Sequence, residues 1–386
     1  MRVLTAIKIE GFKAISRATL ELDAFTLLIG RNASGKSSAV EALQWLRDAT
    51  FLGLEAATPA NADFHELVNR RSDSILLDLR FHHGSDGPPV HYGLRVMSSA
   101  KLPTRPIVAY ERCVVGRTKG ARAVIHSRKG RRGPAWRWVS GRGGAVSVSD
   151  GNELALKLGR TRGTAGPRQF VEFLSRMVFL RLAPTAIAAP SRPEGKTWQP
   201  LLSEDGRDLA TLLLHLSPSA LDRVVAHLKK VFPGVSRVDA RSLGREHRFA
   251  IRERMTARGG SNVFSIPAPL LSEGMRRLIA IFALLEADVR PSLLVIEEIE
   301  NGLDPWTLEY VLDTLRTASS DIQIVLTTHS PFFLDHVNPH EIVHVRREQG
   351  HSEYRRVSDI KDVARYDQVL APGAMYLSRI YDEEAK

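Results

Sequence analysis

Three observations predict an α/β fold with a mixed-sheet core. Gly30-Arg31-Asn32-Ala33-Ser34-Gly35-Lys36-Ser37 has the spacing G-x-x-x-x-G-K-S. It lies between the apolar run Thr26–Ile29, which reads as a short buried strand, and Ser38–Leu46, whose apolar positions recur three and four apart as in a helix. Leu293-Leu294-Val295-Ile296 is an uninterrupted apolar run ending in Glu297-Glu298, the pattern of a parallel strand covered on both faces. From 235 to 345, strand-like and helix-like stretches alternate, the signature of layered α/β architecture.

The elements follow in order. Ile7–Glu10, Ala18–Leu22 and 26–29 alternate like strands, and 37–54 is the helix after the glycine-bearing loop. Ser74–Phe81 and Val90–Val96 pair as a hairpin around Gly84 and Gly87-Pro88-Pro89. Short strands continue to about residue 149, helices are expected over 153–158 and 167–177, and Met177–Leu180 is a further strand. Residues 184–200 form a proline-rich connection. Two amphipathic helices fill 206–232, carrying Leu209, Leu212, Leu213 and Leu216, then Leu221, Val224, Val225 and Leu228. No fixed-period repeat and no sustained heptad run is present, so no long coiled coil is encoded.

Composition narrows the class. A chain of 386 residues, 43% hydrophobic, can bury a large core. The single cysteine, Cys113, excludes an internal disulfide and fits a reducing cytosol; in the strand-like run Arg112–Val115 it reads as a packing residue. Lys8, Glu10 and Lys13 interrupt the N-terminal apolar residues, so no signal peptide is expected there. Leu278–Leu285, the longest apolar run, is far too short to span a bilayer and reads as a buried helix, so no membrane partner is expected. The net charge of +11 is concentrated: 112–168 holds 14 of the 54 Lys and Arg but 2 of the 43 Asp and Glu, leaving the remainder near neutral. This stretch is glycine-rich and contains Trp136-Arg137-Trp138. Clustered basic charge with interleaved aromatics is the footprint of a nucleic-acid-binding surface, and the same composition also describes a solvated loop.

The chemistry sits at strand ends. A strand running through Gly30, Asn32 and Gly35 into a helix start at Lys36, Ser37 and Ser38 surrounds a polyphosphate with backbone N–H groups. The helix terminus adds about half a positive charge. Lys36 reaches the β- and γ-phosphates, and the Ser37 hydroxyl is a Mg²⁺ ligand. Successive residues of a strand face opposite ways. Glu297 is thus placed to hold Mg²⁺ through water and Glu298 to polarise an attacking water. Ile322–Leu326 is a strand leading into Thr327-Thr328-His329-Ser330-Pro331; a histidine at that end can donate to a γ-phosphate. Leu271-Ser272-Glu273-Gly274-Met275-Arg276-Arg277 opens the helix through Leu285 with Ser272 as N-cap, a second helix start that attracts phosphate. Each piece alone has a structural reading: a strand reaching the surface, a core histidine, a capped helix. Their joint occurrence with the loop favours phosphoryl transfer.

Together these motifs resemble the ABC-type ATPase superfamily, and within it the bacterial RecF/SMC-like, OLD-related AAA-21/AAA-15 predicted ATPases. Ile7-x-Ile9-x-Gly11-Phe12-Lys13, Leu28–Asn32, Leu271–Gly274, the acids 297–298 with Asn301-Gly302-Leu303-Asp304-Pro305, and Thr328–Pro331 carry the likeness. Leu202–Leu209 adds a weaker family-like stretch. It spans 1–80 and 170–345 and leaves out the basic insert. The resemblance implies a P-loop NTPase of ABC head type: head halves at 1–80 and 235–345, an antiparallel β-rich basic insert at 81–180, a helical subdomain at 181–234 and a C-terminal extension at 346–386. It implies ATP and Mg²⁺ clamped between two protomers. Lys36, Ser37, Glu297, Glu298 and His329 of one protomer would face Ser272 and Gly274 of the other, with Asp304 in the loop joining the sites. A homodimer, alone or within a higher oligomer of dimers, is the simple expectation.

Departures from the family pattern matter. Glu297 stands where many relatives carry Asp, which brings slow turnover into play, and Ala33 replaces a common glycine. The lid glutamine is open, with Gln169 the candidate and Gln44 expected on a helix surface. The insert holds short strands where SMC proteins carry a coiled coil, and the residues after Ser330 are too few for a fused TOPRIM nuclease. The expected role is a cytoplasmic ATPase in anti-phage defence or DNA repair and maintenance, working with a separate nuclease or toxin effector. The alternatives are an ATP-gated scaffold for such an effector and, less favoured, a transporter's nucleotide-binding subunit.

Overall fold

The computed structural model describes residues 2–59, 62–84, 87–98, 105–116, 122–130, 133–138, 153–158, 165–193, 198, 200–257, 260–348, 351–366 and 369–382, with only the backbone course described for 2, 122–130, 133–138, 255–257 and 260–261. The chain divides into two compact units, Met1–Met177 with Gln323–Lys386, and Val178–Ile322.

The first unit begins with β1 (Arg2–Phe12), β2 (Ile15–Glu21) and β3 (Phe25–Ile29), followed by α1 (Lys36–Leu52). Then come β4 (Ser74–His83), β5 (Val90–Ser98), β6 (Pro106–Val115), β7 (Arg122–Gly130), β8 (Gly133–Trp138) and α2 (Ala165–Ser175). A seven-stranded antiparallel sheet runs β2-β1-β4-β5-β6-β7-β8. Its period-two pattern is plain in β4, where Ile75, Leu77, Leu79 and Phe81 are buried while Asp78 and Arg80 face water. α2 closes that buried face: Phe170 and Phe173 lie 5.3 and 5.0 Å from the Phe81 ring. Each such phenyl ring contributes about 2 kcal/mol by leaving water.

The expected hairpin over 74–96 is present, and the insert is not a body apart: β6, β7 and β8 continue the N-terminal sheet. Trp136 stands opposite Ser127 and Trp138 opposite Ile125, so strand alternation places both tryptophans at positions of one face. Of the expected basic surface 112–168, residues 117–121, 131–132, 139–152 and 159–164 lie outside the described residues.

Glu111 anchors the far end of this insert. Its carboxylate is fully buried and accepts hydrogen bonds from the Tyr92 hydroxyl (3.0 Å) and from the backbone N–H groups of Ala155 and Leu156 (2.8 Å each). Burial outweighs these bonds and pushes its pKa up to about 7. Burial, with the Glu111 charge second, also pushes the Cys113 thiol up to about 12, so Cys113 is an inert packing residue. A carboxyl with a raised folded-state pKa binds more protons folded than unfolded. Stability therefore falls as pH rises from about 4.5 to about 7, by about 3 kcal/mol in all. The urea midpoint should drop across that window, and Glu111→Gln should flatten the drop; an unchanged slope in the variant would place the titration elsewhere.

The chain passes into the second unit along β9 (Met177–Leu180) and continues through α3 (Leu209–His215), α4 (Pro218–Val231), β10 (Val235–Leu243), β11 (Glu246–Ala257) and β12 (Gly260–Pro267). It closes with α5 (Glu273–Leu285), β13 (Leu293–Ile296) and α6 (Pro305–Ala318). The two expected amphipathic helices are α3 and α4. Residues 235–267 differ from expectation: they form a three-stranded antiparallel meander, and the helix-strand alternation starts only at α5. β13 lies beside β9. His227 of α4 stacks on Phe282 of α5 at 4.8 Å, faces Glu286 at 3.1 Å and meets the Tyr310 hydroxyl of α6 at 2.8 Å, tying three helices together.

The chain returns to the first unit with β14 (Gln323–Thr328), β15 (Ile342–Glu348) and β16 (His351–Arg356). β3 lies between β14 and β15, parallel to both, and β16 pairs antiparallel with β15. The fully buried Gln323 side chain accepts from Leu4 N–H (2.9 Å) and donates to the carbonyls of Leu4 (2.8 Å) and Asp23 (2.9 Å). It therefore locks β1 and the approach to β3 onto β14. Among the described residues no helix is long and apolar enough to cross a membrane.

Candidate functional site

β3 ends at Ile29 and α1 begins at Lys36, so the glycine-bearing loop connects a parallel strand to a helix start. Two of its residues sit in left-handed backbone, Ala33 at φ 61° and Gly35 at φ 114°. A side chain at Gly30 would collide with the Val345 carbonyl, and one at Gly35 with the Ser352 hydroxyl. Gly35 is the N-cap of α1 and has no side chain with which to cap the helix, so the helix start opens onto the loop. Lys36 is nearly buried, and its Nζ donates to the carbonyls of Gly30 (2.6 Å) and Arg31 (3.1 Å). The Ser34 hydroxyl is buried with no hydrogen-bond partner. A helix start, a cation folded over the loop and an orphaned hydroxyl form a cradle that suits an anion. Ser37 and Ser38 occupy the first turn of α1, and Asn32 is exposed at the loop's outer bend.

His329 belongs to the same unit. Thr328, the last residue of β14, pairs in register with Ile29, the last of β3, so His329 and Gly30 leave the sheet side by side. Carboxyl ends of parallel strands are where such sheets bind ligands.

In the second unit, β13 delivers the two acids. Glu297 N–H bonds to the Leu180 carbonyl (2.9 Å), and its 8%-exposed side chain pairs with Arg181 Nη2 at 2.8 Å. Glu298 turns into left-handed backbone at φ 51°, a conformation costing about 1 kcal/mol or more for a residue with a Cβ. The turn sends its carboxylate outward, where Asn301 Nδ2 donates to it at 2.6 Å. Arg277 braces the same turn, donating to the carbonyls of Leu182 (3.0 Å) and Glu298 (3.5 Å).

Ser272 caps α5, its hydroxyl accepting from Met275 N–H at 3.2 Å. Gly274 packs on the following loop: a Cβ there would sit 2.5 Å from the Gly302 carbonyl oxygen. Asp304 caps α6, accepting from the hydroxyl (2.6 Å) and the N–H (3.0 Å) of Thr307; these bonds hold its carboxyl below the usual range. Gln44 is half-buried on α1 and Gln169 half-buried on α2. Among the described residues no three acids, histidines or cysteines converge as a metal cage. Ser37 and Glu297 are oxygen donors of the kind Mg²⁺ takes when substrate phosphates and water complete its shell.

Two residues escaped the sequence reading. Arg181 has no motif; the hint was its position just past the strand that neighbours β13. Tyr354 lies on β16, in the stretch expected only as an extension, and its hydroxyl donates to the Gly35 carbonyl.

Residues 217–335 match the family model described as "AAA domain, putative AbiEii toxin, Type IV TA system". Residues 3–87 match the model "AAA ATPase domain". Solved structures similar in fold include an Smc head domain with an extended coiled coil bound to the C-terminal domain of ScpA, from Pyrococcus furiosus. That chain is 12% identical, with 95% of this chain and 100% of that one covered at a TM-score of 0.55. An SmcHead bound to the C-winged helix domain of ScpA is 16% identical, covering 91% and 96% at 0.51. The SMC head domain from Thermotoga maritima is 14% identical, covering 92% and 98% at 0.47. The chain thus carries AAA ATPase-like sequence over 3–87 and 217–335 and the fold of an SMC head. The SMC-head fold is the one expected from the motifs, and no curated protein matches. The cradle at 30–38 lies inside the stretch that matches the AAA ATPase domain model.

Proposed function

We propose that the protein is a slow, Mg²⁺-dependent ATPase that dimerises around ATP to control a nucleic-acid-linked process, in anti-phage defence or DNA repair and maintenance, through a separate effector. The observation that carries this reading is the start of α1 at a glycine N-cap with Lys36 folded over the loop carbonyls. A bound polyphosphate replaces those carbonyls as the partner of Lys36 Nζ and accepts from the N–H groups of Gly35 to Ser38. His329, leaving the sheet beside Gly30, donates to the terminal phosphate. Glu298 accepts a proton from the attacking water, its outward turn leaving the carboxylate open to solvent. Mg²⁺, held by Ser37 and Glu297, would supply positive charge against the phosphate oxygens. A second copy contributes Ser272 and Gly274, and Asp304 holds the loop between them.

The AbiEii toxin and type IV TA wording of the family matched over 217–335 supports a toxin-linked role. The ScpA subunit seen on two similar heads supports a separate partner. The surplus of 14 basic over 2 acidic residues in 112–168 supports nucleic acid as a further one. One observation favours the scaffold reading: Glu297 is already paired with Arg181 at 2.8 Å, and that pair must loosen before a metal is engaged, which slows turnover.

Mixing two inactive variants tests the shared site. Lys36→Ala disables one half and Ser272→Arg the other. A mixed dimer regains one intact site, so an equal mixture recovers about one quarter of wild-type phosphate release. A mixture as dead as its parts excludes complementation between copies.

A further inference from the structure

The phosphate loop leans on a part of the chain that no nucleotide motif includes. β16 is held by its antiparallel register with β15 (Val345 opposite Tyr354, Arg346 opposite Glu353), by the Arg346–Glu353 ion pair at 2.6 Å, and through β15 by the parallel pairing of Val343 with Leu28. From that frame the Tyr354 hydroxyl donates to the Gly35 carbonyl at 2.7 Å. The same carbonyl accepts from Ala39 N–H at 3.2 Å, the first bond of α1. Ser352, one pleat away, fills the space where a side chain on Gly35 would stand.

We propose that Tyr354 is a positioning residue of the nucleotide site, whose hydroxyl holds the Gly35 carbonyl and thereby aims the Lys36 N–H into the phosphate loop. A trans peptide is planar, with its C=O and N–H opposed. Holding the Gly35 oxygen from two directions therefore fixes the direction of the next N–H, that of Lys36 at the first position of the helix. Gly35 has no side chain to do this and sits at φ 114°, where its own backbone is permissive. Donors oriented in advance bind an anion without reorganising. Burial holds the Tyr354 hydroxyl far above its ordinary pKa, so it remains a donor at any working pH. A packing role would need only the ring; the positioning role needs the oxygen.

The proposal rests on the reading that 30–38 holds a triphosphate, and the test separates the two. Titrating the full chain with Mg-ATP in a calorimeter, Tyr354→Phe should bind about 5- to 10-fold more weakly than wild type, the value of one lost hydrogen bond. Its nucleotide-free melting temperature should stay within a few degrees of wild type. Wild-type affinity in Tyr354→Phe, with binding lost in Lys36→Ala, overturns the positioning role alone. A wild-type protein that does not bind Mg-ATP, or a Lys36→Ala that binds it fully, overturns the nucleotide reading. Should Tyr354→Phe fold poorly, amide exchange of nucleotide-free wild type decides: slow exchange at Ala39, whose N–H bonds the held Gly35 carbonyl, supports a preset loop, and exchange there as fast as in exposed turns overturns it.

Discussion

Lys36→Ala abolishes ATP turnover and weakens ATP binding at least about 100-fold, the largest effect expected of any single substitution in this chain. Two losses combine. The triphosphate loses a buried cation, and charge-assisted hydrogen bonds are worth about 1.5–3 kcal/mol each. The loop also loses its internal clamp, because Nζ bonds to Gly30 and Arg31 hold the bend between β3 and α1. The first loss acts on bound nucleotide and the second on the empty loop, so they can be read separately. Calorimetry with Mg-ATP and a phosphate-release assay measure the first. Amide exchange across 30–38 without nucleotide measures the second and should speed up. Melting should shift little, because α1 is anchored elsewhere: Trp45 contacts Phe12 and Phe64 at 6.2 and 6.4 Å, and Arg47 donates to the Met177 carbonyl at 3.1 Å. Turnover above about a tenth of wild type would remove Lys36 from the centre of the chemistry.

The legible parts of this molecule are those whose physics is local. Strand, loop and helix around Gly30–Ser37 are adjacent in the chain, and so are the apolar run and the two acids of β13. What failed was what depends on distant pairing. The meander at 235–267 has strands of 8 to 12 residues and a tight turn at Gly244 (φ 62°), and a strand's period of two does not say whether its neighbour is another strand or a helix. The basic insert was separated by its charge, yet composition says nothing about which strand pairs with which, and β6 simply adds to the edge of β5. Arg181 meets Glu297 across 116 residues and Tyr354 meets Gly35 across 319, with no spacing rule to reveal either. His329 was legible because the strand before it is apolar and the residue after it begins Ser-Pro; its register beside Gly30 required the sheet.

Glu298→Gln should lower phosphate release at least about 100-fold while leaving ATP affinity unchanged or tighter, since a lost general base costs roughly that much. The substitution is nearly isosteric. The outward turn at φ 51° is set by the backbone and by Arg277 on the 298 carbonyl, neither of which depends on carboxylate charge. Asn301 Nδ2 retains an oxygen to donate to. What disappears is the basic oxygen facing water. Glu297→Gln is a poorer experiment, because it also strands the half-exposed Arg181 beside a buried amide. With chemistry stopped and binding intact, an ATP-clamped pair should accumulate in size-exclusion chromatography with Mg-ATP and dissolve when nucleotide is withdrawn. A monomer under both conditions would contradict ATP-driven dimerisation, and unchanged turnover would take the base role from Glu298. The trapped variant also separates the two functional readings. If biological output fails in Glu298→Gln, cycling is the working step; if output persists with the pair locked, nucleotide acts as the clamp and hydrolysis only resets it, as the Arg181-held Glu297 favours.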